Sequence, residues 1–194
     1  MGNQRSIYNG FKAVGADPFI ASTPSELKGA EAIVLPGVGA FGVGMQHLNE
    51  MGWREVMEKE VLEEKTPFLG ICLGMQLLAS HSMEHGKHEG LNWIHGSVKR
   101  MKLLQPSERL PHMGWNDVKI PEGSRLFDGM GGEGCFYFVH SFAFNLNDSS
   151  VLTSTCEHGE SFTASVEIGN IMATQFHPEK SHHSGLAVDR KSVV

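Results

Sequence analysis

The sequence has few of the features that mark membrane-spanning, secreted or nucleic-acid-binding proteins. No apolar run is long enough to cross a bilayer, and residues 1–6 contain one basic residue and no hydrophobic stretch, which excludes a secretory signal there. Lys and Arg number 16 against 22 Asp and Glu, so the formal charge is −6, and no dense basic cluster favours nucleic acid as a partner. We therefore expect a cytoplasmic protein.

Cysteine is scarce as well, which excludes a disulfide-stapled scaffold. The chain has three cysteines, Cys72, Cys135 and Cys156, an odd number without a paired framework. A free cysteine is by default a small buried apolar residue, so only its context can mark one as a nucleophile. The length of 194 residues and the hydrophobic content of 40% suit one globular domain.

Apolar runs alternate with helical patterns in the first half of the chain. Residues 32–35 and 68–71 are typical of buried strands, a long amphipathic stretch at 45–65 separates them, and a second helix is predicted at 73–80. This alternation predicts an α/β protein with a parallel sheet. The second half is rich in strand patterns, which predict an antiparallel or mixed sheet edge: residues 98–101, 116–120, 136–142, 151–155, 162–166 and 171–175.

Both ends of the chain depart from a complete doubly wound domain. The chain opens on a predicted helix, where such a domain usually opens with a strand. Residues 189–194 have no amphipathic period, and they match the translation of a common sequencing adapter. We expect a domain at residues 1–188 that lacks its N-terminal strand and C-terminal helix, followed by a non-native tail at 189–194.

A candidate nucleophile lies between the second strand and the helix that follows it. Gly70-Ile-Cys72-Leu-Gly74 fits the G-x-nucleophile-x-G elbow, in which a sharp turn exposes the central side chain at the edge of a sheet. Glycines allow the tight turn, and the N–H groups of the following helix favour a thiolate and an oxyanion. From this pentapeptide alone, a buried structural cysteine is an equally good interpretation.

A candidate base follows the last predicted strand, in Gln175-Phe-His177-Pro-Glu179. A histidine there can take the proton of a thiol, and a carboxylate two residues later can fix its tautomer. Pro36-Gly37-Val38-Gly39 follows an earlier strand and can present backbone N–H groups to an oxyanion, although alone it is an ordinary turn.

Five segments together resemble the class I (triad) glutamine amidotransferases, and more particularly the glutaminase subunits of imidazole glycerol phosphate synthase. The segments are residues 35–41, 70–76, 111–116, 137–141 and 175–181. Cys-Leu-Gly and His-Pro-Glu occur across the superfamily, whereas Pro-His-Met-Gly-Trp-Asn at 111–116 is particular to these glutaminases. The resemblance implies a flavodoxin-like three-layer sandwich with a mostly parallel central sheet and a mixed or antiparallel edge.

The resemblance also implies roles for individual residues, without a cofactor or metal. Cys72 would be the nucleophile, His177 the general base and then acid, and Glu179 the orienting carboxylate. The oxyanion and glutamine sites would comprise Gly37, Val38, Gly39, Leu73, Gln76, Ser141 and Phe142. Ammonia would pass to a (β/α)8-barrel cyclase, the other half of a heterodimer in histidine biosynthesis, and its docking face would include His112, Met113, Trp115 and Lys180.

Three alternatives stay open. A second branch of these glutaminases supplies ammonia for surface-polysaccharide sugars and has nearly the same motifs. A metal-binding protein could use His81, His85 and His88 on one helical face, or His182 and His183, although no further ligands complete such a site. A non-catalytic scaffold is disfavoured by the intact Cys72, His177 and Glu179 set.

Overall fold

The computed structural model describes residues 4–192, which fold into two sheets flanked by short helices. The α-helices of this range are α1 (Gln4–Ala13), α2 (Phe41–Glu50), α3 (Trp53–Met57), α4 (Leu73–Gln76) and α5 (His182–Ser192), with 3-10 turns at Pro24–Leu27 and Pro178–Lys180 and a π-helical segment at Glu58–Glu63. The strands are β1 (Ile33–Gly37), β2 (Phe68–Cys72), β3 (His81–Ser82), β4 (His88–Glu89), β5 (Gly96–Arg100), β6 (His112–Lys119), β7 (Glu133–His140), β8 (Phe142–Leu146), β9 (Leu152–His158), β10 (Glu160–Ile168) and β11 (Ile171–Thr174).

The central sheet is mixed and has seven strands in the order β1-β2-β11-β10-β9-β6-β7. β1 and β11 run parallel to β2 on either side of it, and every other pair in this sheet is antiparallel. The predicted α/β class with a mixed sheet is confirmed, but the parallel part is limited to these three strands, so four of the six strand pairs are antiparallel and the sheet is not mostly parallel. A second sheet of four short strands has the order β4-β3-β5-β8.

The core lies on both faces of the central sheet, as a three-layer sandwich requires. Alternation along β2 sends Phe68 to one face and Leu69 and Ile71 to the other. Helices α2 and α3 cover the Phe68 face, and α1 and α5 cover the opposite face. β2 and β11 are therefore buried along their whole length, which explains their largely apolar sequences, whereas the edge strand β1 is mostly half-buried.

The predicted long helix is divided into shorter pieces. Helix α2 ends at Glu50 because Gly52 adopts a left-handed conformation with φ of +72°, after which α3 and the π-helical segment continue to Glu63. The helix after Cys72 ends at Gln76, four residues earlier than predicted. The carbonyls of Leu77 and Leu78 accept hydrogen bonds from the loop at residues 91–94 and are no longer available to a helix.

The C-terminal segment differs from its predicted structure. Helix α5 runs through residues 189–192, and both Val188 and Asp189 are buried against the rest of the protein. The apolar residues of α5 are few, so its attachment depends on α1 and the turn at Pro178–Lys180. The predictions for residues 1–3 and 193–194 lie outside the described residues. None of the helices at residues 4–192 combines the length and apolar character needed to cross a membrane.

Candidate active site

Cys72 is the last residue of β2 and lies in a sharp turn between this strand and α4. Its backbone has φ of +54° and ψ of −106°, a strained conformation for a residue with a side chain. The two flanking glycines are required by packing. A Cβ at Gly70 would lie 2.9 Å from the carbonyl group of Gly74, and one at Gly74 would lie 1.9 Å from the carbonyl oxygen of Leu35. The local geometry is therefore that of the elbow predicted from the sequence.

His177 reaches Cys72 because β11 is inserted directly beside β2. These strands pair in parallel with Thr174 opposite Ile71, so the segment after β11 emerges at the same edge of the sheet as Cys72. His177 Nδ1 lies 2.9 Å from Glu179 Oε1, and both side chains are almost completely buried. The turn between these two residues begins with Pro178, which fixes their relative orientation.

The charge state of His177 is set by competing effects. Burial alone would lower the pKa of His177, but hydrogen bonding and charge from Cys72 and Glu179 outweigh it and raise this pKa to about 9. The Nε2 atom of His177 has no hydrogen-bond partner of good geometry, and the adjacent thiol of Cys72 is the group that acts on it. The imidazolium form is therefore favoured at neutral pH, and that form stabilises a thiolate.

The candidate oxyanion residues surround the same thiol. Gly37 lies directly opposite Cys72 in the pairing of β1 with β2, and a Cβ at Gly37 would lie 2.8 Å from Cβ of Leu73. Gly39 has φ of +104°, which favours glycine, and Val38 between them is exposed. Leu73 is the first residue of α4, so its N–H has no partner within that helix.

The candidate glutamine-binding residues meet on the other side of α4. Gln76 is buried, and its Nε2 donates to the carbonyl oxygen of Phe142 at 3.0 Å and to Oε1 of Gln175 at 2.9 Å. Ser141 precedes Phe142 in the short connection from β7 to β8. Gln175 was not singled out from the sequence, yet its Nε2 donates to Cys72 Sγ at 3.7 Å. The available signal was a polar residue directly after the buried strand β11.

Three of the four residues expected on the partner face divide between the two faces of β6, and Lys180 lies in the turn at Pro178–Lys180. Met113 is 62% exposed and Trp115 47%, whereas His112 is 4% exposed. Alternation along the strand turns His112 inward, so it does not form the surface expected of it. Lys180 is exposed, and its Nζ lies 5.4 Å from the ring centre of Tyr137 beside Trp115.

The histidines proposed as metal ligands occupy strands and a turn rather than one helical face. His81 lies in β3, His88 in β4, and His85 in the turn between them with φ of +54°. Across residues 4–192, no group of three or more His, Cys, Asp or Glu side chains is arranged to hold a metal ion.

Cys72 is 8% exposed, and it does not line either of two clefts found among residues 4–192. One cleft, of about 380 Å³, lies between β8 and the β9–β10 hairpin, and the other, of about 640 Å³, lies beside α2 and residues 84–89. The thiol of Cys72 is therefore largely buried within the protein.

Comparison with known sequences places this arrangement in context. A family model described as glutamine amidotransferase class-I matches residues 4–187. The chain is 47% identical over 192 residues to the imidazole glycerol phosphate synthase subunit HisH of Methanothermobacter thermautotrophicus, covering 99% of this chain and 93% of that protein. It is 42% identical over 185 residues to subunit HisH 1 of Campylobacter jejuni, covering 95% of this chain and 91% of that protein.

Solved structures share the fold at lower identity. A crystal structure of a glutamine amidotransferase superimposes with a TM-score of 0.74 at 21% identity, covering 95% of this chain and 90% of the other. The glutaminase domain of CTPS from Trypanosoma brucei gives a TM-score of 0.63 at 16% identity, covering 97% of this chain and 87% of the other. At these identities the likeness concerns the fold alone, and it agrees with the predicted fold.

Proposed function

Because the chain belongs to the class I glutamine amidotransferase family, we propose that it hydrolyses the side-chain amide of glutamine with Cys72, His177 and Glu179. The observation that carries this assignment is the imidazole of His177, which lies between the Cys72 thiol on one side and the Glu179 carboxylate, 2.9 Å from Nδ1, on the other. Such an arrangement activates a nucleophile and holds its base in one tautomer.

The first half of the reaction forms a thioester. The thiolate of Cys72 attacks the amide carbon of glutamine, and the N–H of Leu73 with an N–H of the 37–39 loop stabilises the oxyanion of the tetrahedral intermediate. The imidazolium of His177 then donates its Nε2 proton to the departing nitrogen, which leaves as ammonia. While the ring of His177 holds that proton, Glu179 stabilises its positive charge.

The second half regenerates the thiol. Neutral His177 takes a proton from water, whose oxygen attacks the thioester carbon, and the second tetrahedral intermediate collapses to glutamate and the Cys72 thiolate. Gln76 and the backbone at Ser141 and Phe142 hold the α-amino and carboxylate groups of the substrate. The burial of Cys72 supports a site in which ammonia is released away from bulk water.

The chain acts as the glutaminase subunit of imidazole glycerol phosphate synthase in histidine biosynthesis. Its relatives at 42–47% identity carry that name over nearly their full length, which favours this pathway over the surface-sugar branch. Being one subunit of a synthase implies a partner that receives the ammonia. We propose that this partner is a (β/α)8-barrel cyclase, that the two form a heterodimer in the cytoplasm, and that Met113, Trp115 and Lys180 contribute to its docking face.

The exposed aromatic surface beside β6 supports that docking face. The ring of Trp115 stacks on His182 with centroids 4.9 Å apart and lies edge-on to Tyr137 at 6.0 Å. Trp115 and Met113 are exposed and Tyr137 is half-buried, and these three residue types are enriched at protein interfaces. Lys180 beside them suits the polar rim of an interface. The surface also borders the turn that carries Glu179.

The nucleophile is tested by Cys72→Ala in the complex with its cyclase partner. Glutamine-dependent synthesis is expected to fall by at least about 10³-fold, while synthesis with added ammonium salt stays at the wild-type rate. Cys135→Ala is the matched control, since Cys135 is an exposed residue of β7 and has no assigned role in the reaction. Retention of glutamine-dependent activity by Cys72→Ala would show that the nucleophile is assigned wrongly.

A further inference from the structure

Two buried histidines outside the proposed triad form a hydrogen-bonded pair behind the active site. His112 Nδ1 lies 3.2 Å from His140 Nε2, and the two side chains are 4% and 6% exposed. The ring of His112 stacks on Phe138 at a centroid distance of 4.9 Å, and the ring of His140 meets Phe162 edge-on at the same distance. Both rings are therefore held in fixed orientations.

The contacts of this pair dictate one tautomer for each ring. The carbonyl oxygen of Phe142 lies 2.9 Å from His140 Nδ1 and can only accept, so this nitrogen carries the hydrogen. In a neutral ring His140 Nε2 is then an acceptor, and His112 must donate to it from Nδ1. His112 Nε2 accepts in turn from the side-chain amide of Asn116 at 3.2 Å, so every hydrogen in the series points toward Phe142.

Both rings are kept neutral by their surroundings. Burial, reinforced by the neighbouring histidines, lowers the pKa of His112 to about 3, and burial lowers the pKa of His140 to about 4. The titratable groups that face the pair are His158, stacked on His112 at 4.2 Å, and His177 of the proposed triad beyond His140. Neither of these two histidines carries a negative charge that could stabilise a proton added to the pair.

The carbonyl group of Phe142 connects the pair to the nucleophile. Because this oxygen can only accept, Gln76 must present its NH₂ group to it, at 3.0 Å, and the same NH₂ donates to Gln175 Oε1 at 2.9 Å. With its oxygen turned toward Gln76, Gln175 must present its own NH₂ to the sulfur of Cys72 at 3.7 Å. The orientation of both amides thus follows from one carbonyl, and His140 holds that carbonyl from the other side.

We propose that His140, held in a single neutral tautomer by His112, is a positioning residue for glutamine hydrolysis. It fixes the Phe142 carbonyl, and through it the Gln76 and Gln175 amides that face the nucleophile. This proposal rests on the proposed function, because it assigns His140 to the same reaction. It also gives the inward-facing His112 a role in the site rather than on the docking surface.

The kinetic test compares three variants in the complex with its partner. His140→Leu removes the donor to Phe142, and kcat/KM for glutamine is expected to fall by at least about 10-fold, while ammonia-dependent synthesis is unchanged. His140→Asn places an amide N–H near the position of Nδ1 and is expected to restore activity to within about 3-fold of wild type. Phe162→Leu disturbs the same buried contact without touching the hydrogen bonds, and it is expected to keep wild-type kinetics.

Two results would overturn the proposal. One is wild-type kcat/KM in His140→Leu, and the other is an equal loss in His140→Asn and Phe162→Leu, which would indicate general packing damage. Either result leaves the nucleophile untouched, since Cys72→Ala then still abolishes glutamine-dependent activity. The failure of this proposal is therefore distinguishable from the failure of the proposed function.

A spectroscopic test needs no variant. In the full-length chain labelled with ¹⁵N-histidine, the two buried rings are expected to show neutral Nδ1–H tautomers from about pH 6 to 8, with Nε2 unprotonated. An Nε2–H tautomer at His140, or titration of either ring near its usual pKa, would contradict the hydrogen-bond directions on which the proposal depends.

Discussion

Replacing Asp189 with asparagine is expected to remove a pH-dependent loss of stability. Asp189 lies in α5 with 1% exposure, and its Oδ2 has no hydrogen-bond partner. A Cβ added at Gly10 would lie 2.8 Å from this oxygen, so the carboxyl group is pressed against α1. Burial and the neighbouring charge of Glu179 raise the pKa of Asp189 from 3.8 to about 7. Asparagine has nearly the same shape and no charge to bury.

The direction and size of the effect follow from linkage. The folded state holds the proton more tightly than the unfolded state, so Asp189 costs nothing below about pH 4, and its cost grows as the pH rises to about 7. A pKa of Asp189 that is higher by about three in the folded than in the unfolded protein lowers the free energy of unfolding by about 4 kcal/mol once the carboxyl group is ionised in both states. Between about pH 5 and pH 8, the free energy of unfolding is therefore expected to fall by about 2–3 kcal/mol on account of this residue.

The assay is urea unfolding of wild type and Asp189→Asn at about pH 5 and pH 8. The raised pKa of His177 also makes the protein less stable as the pH rises toward 9, but His177 titrates in both proteins. The difference in unfolding free energy between the two proteins therefore isolates the contribution of Asp189. Asp128→Asn is the control, since this carboxylate is exposed and pairs with Lys191 on the surface. Parallel pH–stability curves for wild type and Asp189→Asn would refute the buried position of this carboxyl group.

Two further predictions concern the elbow and the thiols. Gly74→Ala is expected to lower the free energy of unfolding by about 3 kcal/mol or more in urea titrations, because the added Cβ would clash with the carbonyl oxygen of Leu35. Gly44→Ala is the control and should change this free energy by under about 1 kcal/mol, because its Cβ would contact only side-chain ends at 3.3 Å. Equal effects of the two substitutions would contradict the tight turn at Gly74. Burial raises the pKa of the Cys156 thiol to about 12, so iodoacetamide should modify the exposed Cys135 of the native protein and leave Cys156 unmodified. Labelling of Cys156, detected by mass spectrometry, would contradict its burial.

The sequence predicts the site best where a short local pattern determines the backbone geometry. The elbow at Cys72 follows from two glycines between a buried strand and a helix, and each glycine proves necessary for packing. His177 and Glu179 were also found locally, since the proline between them fixes a turn. Their approach to Cys72 was a hypothesis, because it depends on the insertion of β11 between β2 and β10, which no local pattern specifies.

Two features escaped prediction for physical reasons. The long helix at 45–65 was predicted from periodicity, but Gly52 permits a left-handed residue that divides it. His112 was expected on the docking face together with Met113 and Trp115 because the resemblance to the glutaminase subunits implied it. Alternation along a strand would have separated them, had residues 112–115 been recognised as part of β6.

The tail at residues 189–194 remains a proposal. Helix α5 includes residues 189–192, so their structure alone does not mark them as foreign. We propose that they are non-native because Asp189 introduces a buried carboxyl group beside Glu179 whose Oδ2 has no hydrogen-bond partner, an arrangement that costs stability.

The insertion of β11 beside β2 has a consequence for the protein during its synthesis on the ribosome. Cys72 leaves the exit tunnel about a hundred residues ahead of His177, and the slot next to β2 stays empty until residues 171–174 have been translated. Throughout that interval the nascent chain has a cysteine without its base and an unpaired strand edge open to other chains. Hydrolysis of glutamine can therefore begin only after β11, His177 and Glu179 have been translated, and a chaperone that covers this edge would protect the thiol during the same period.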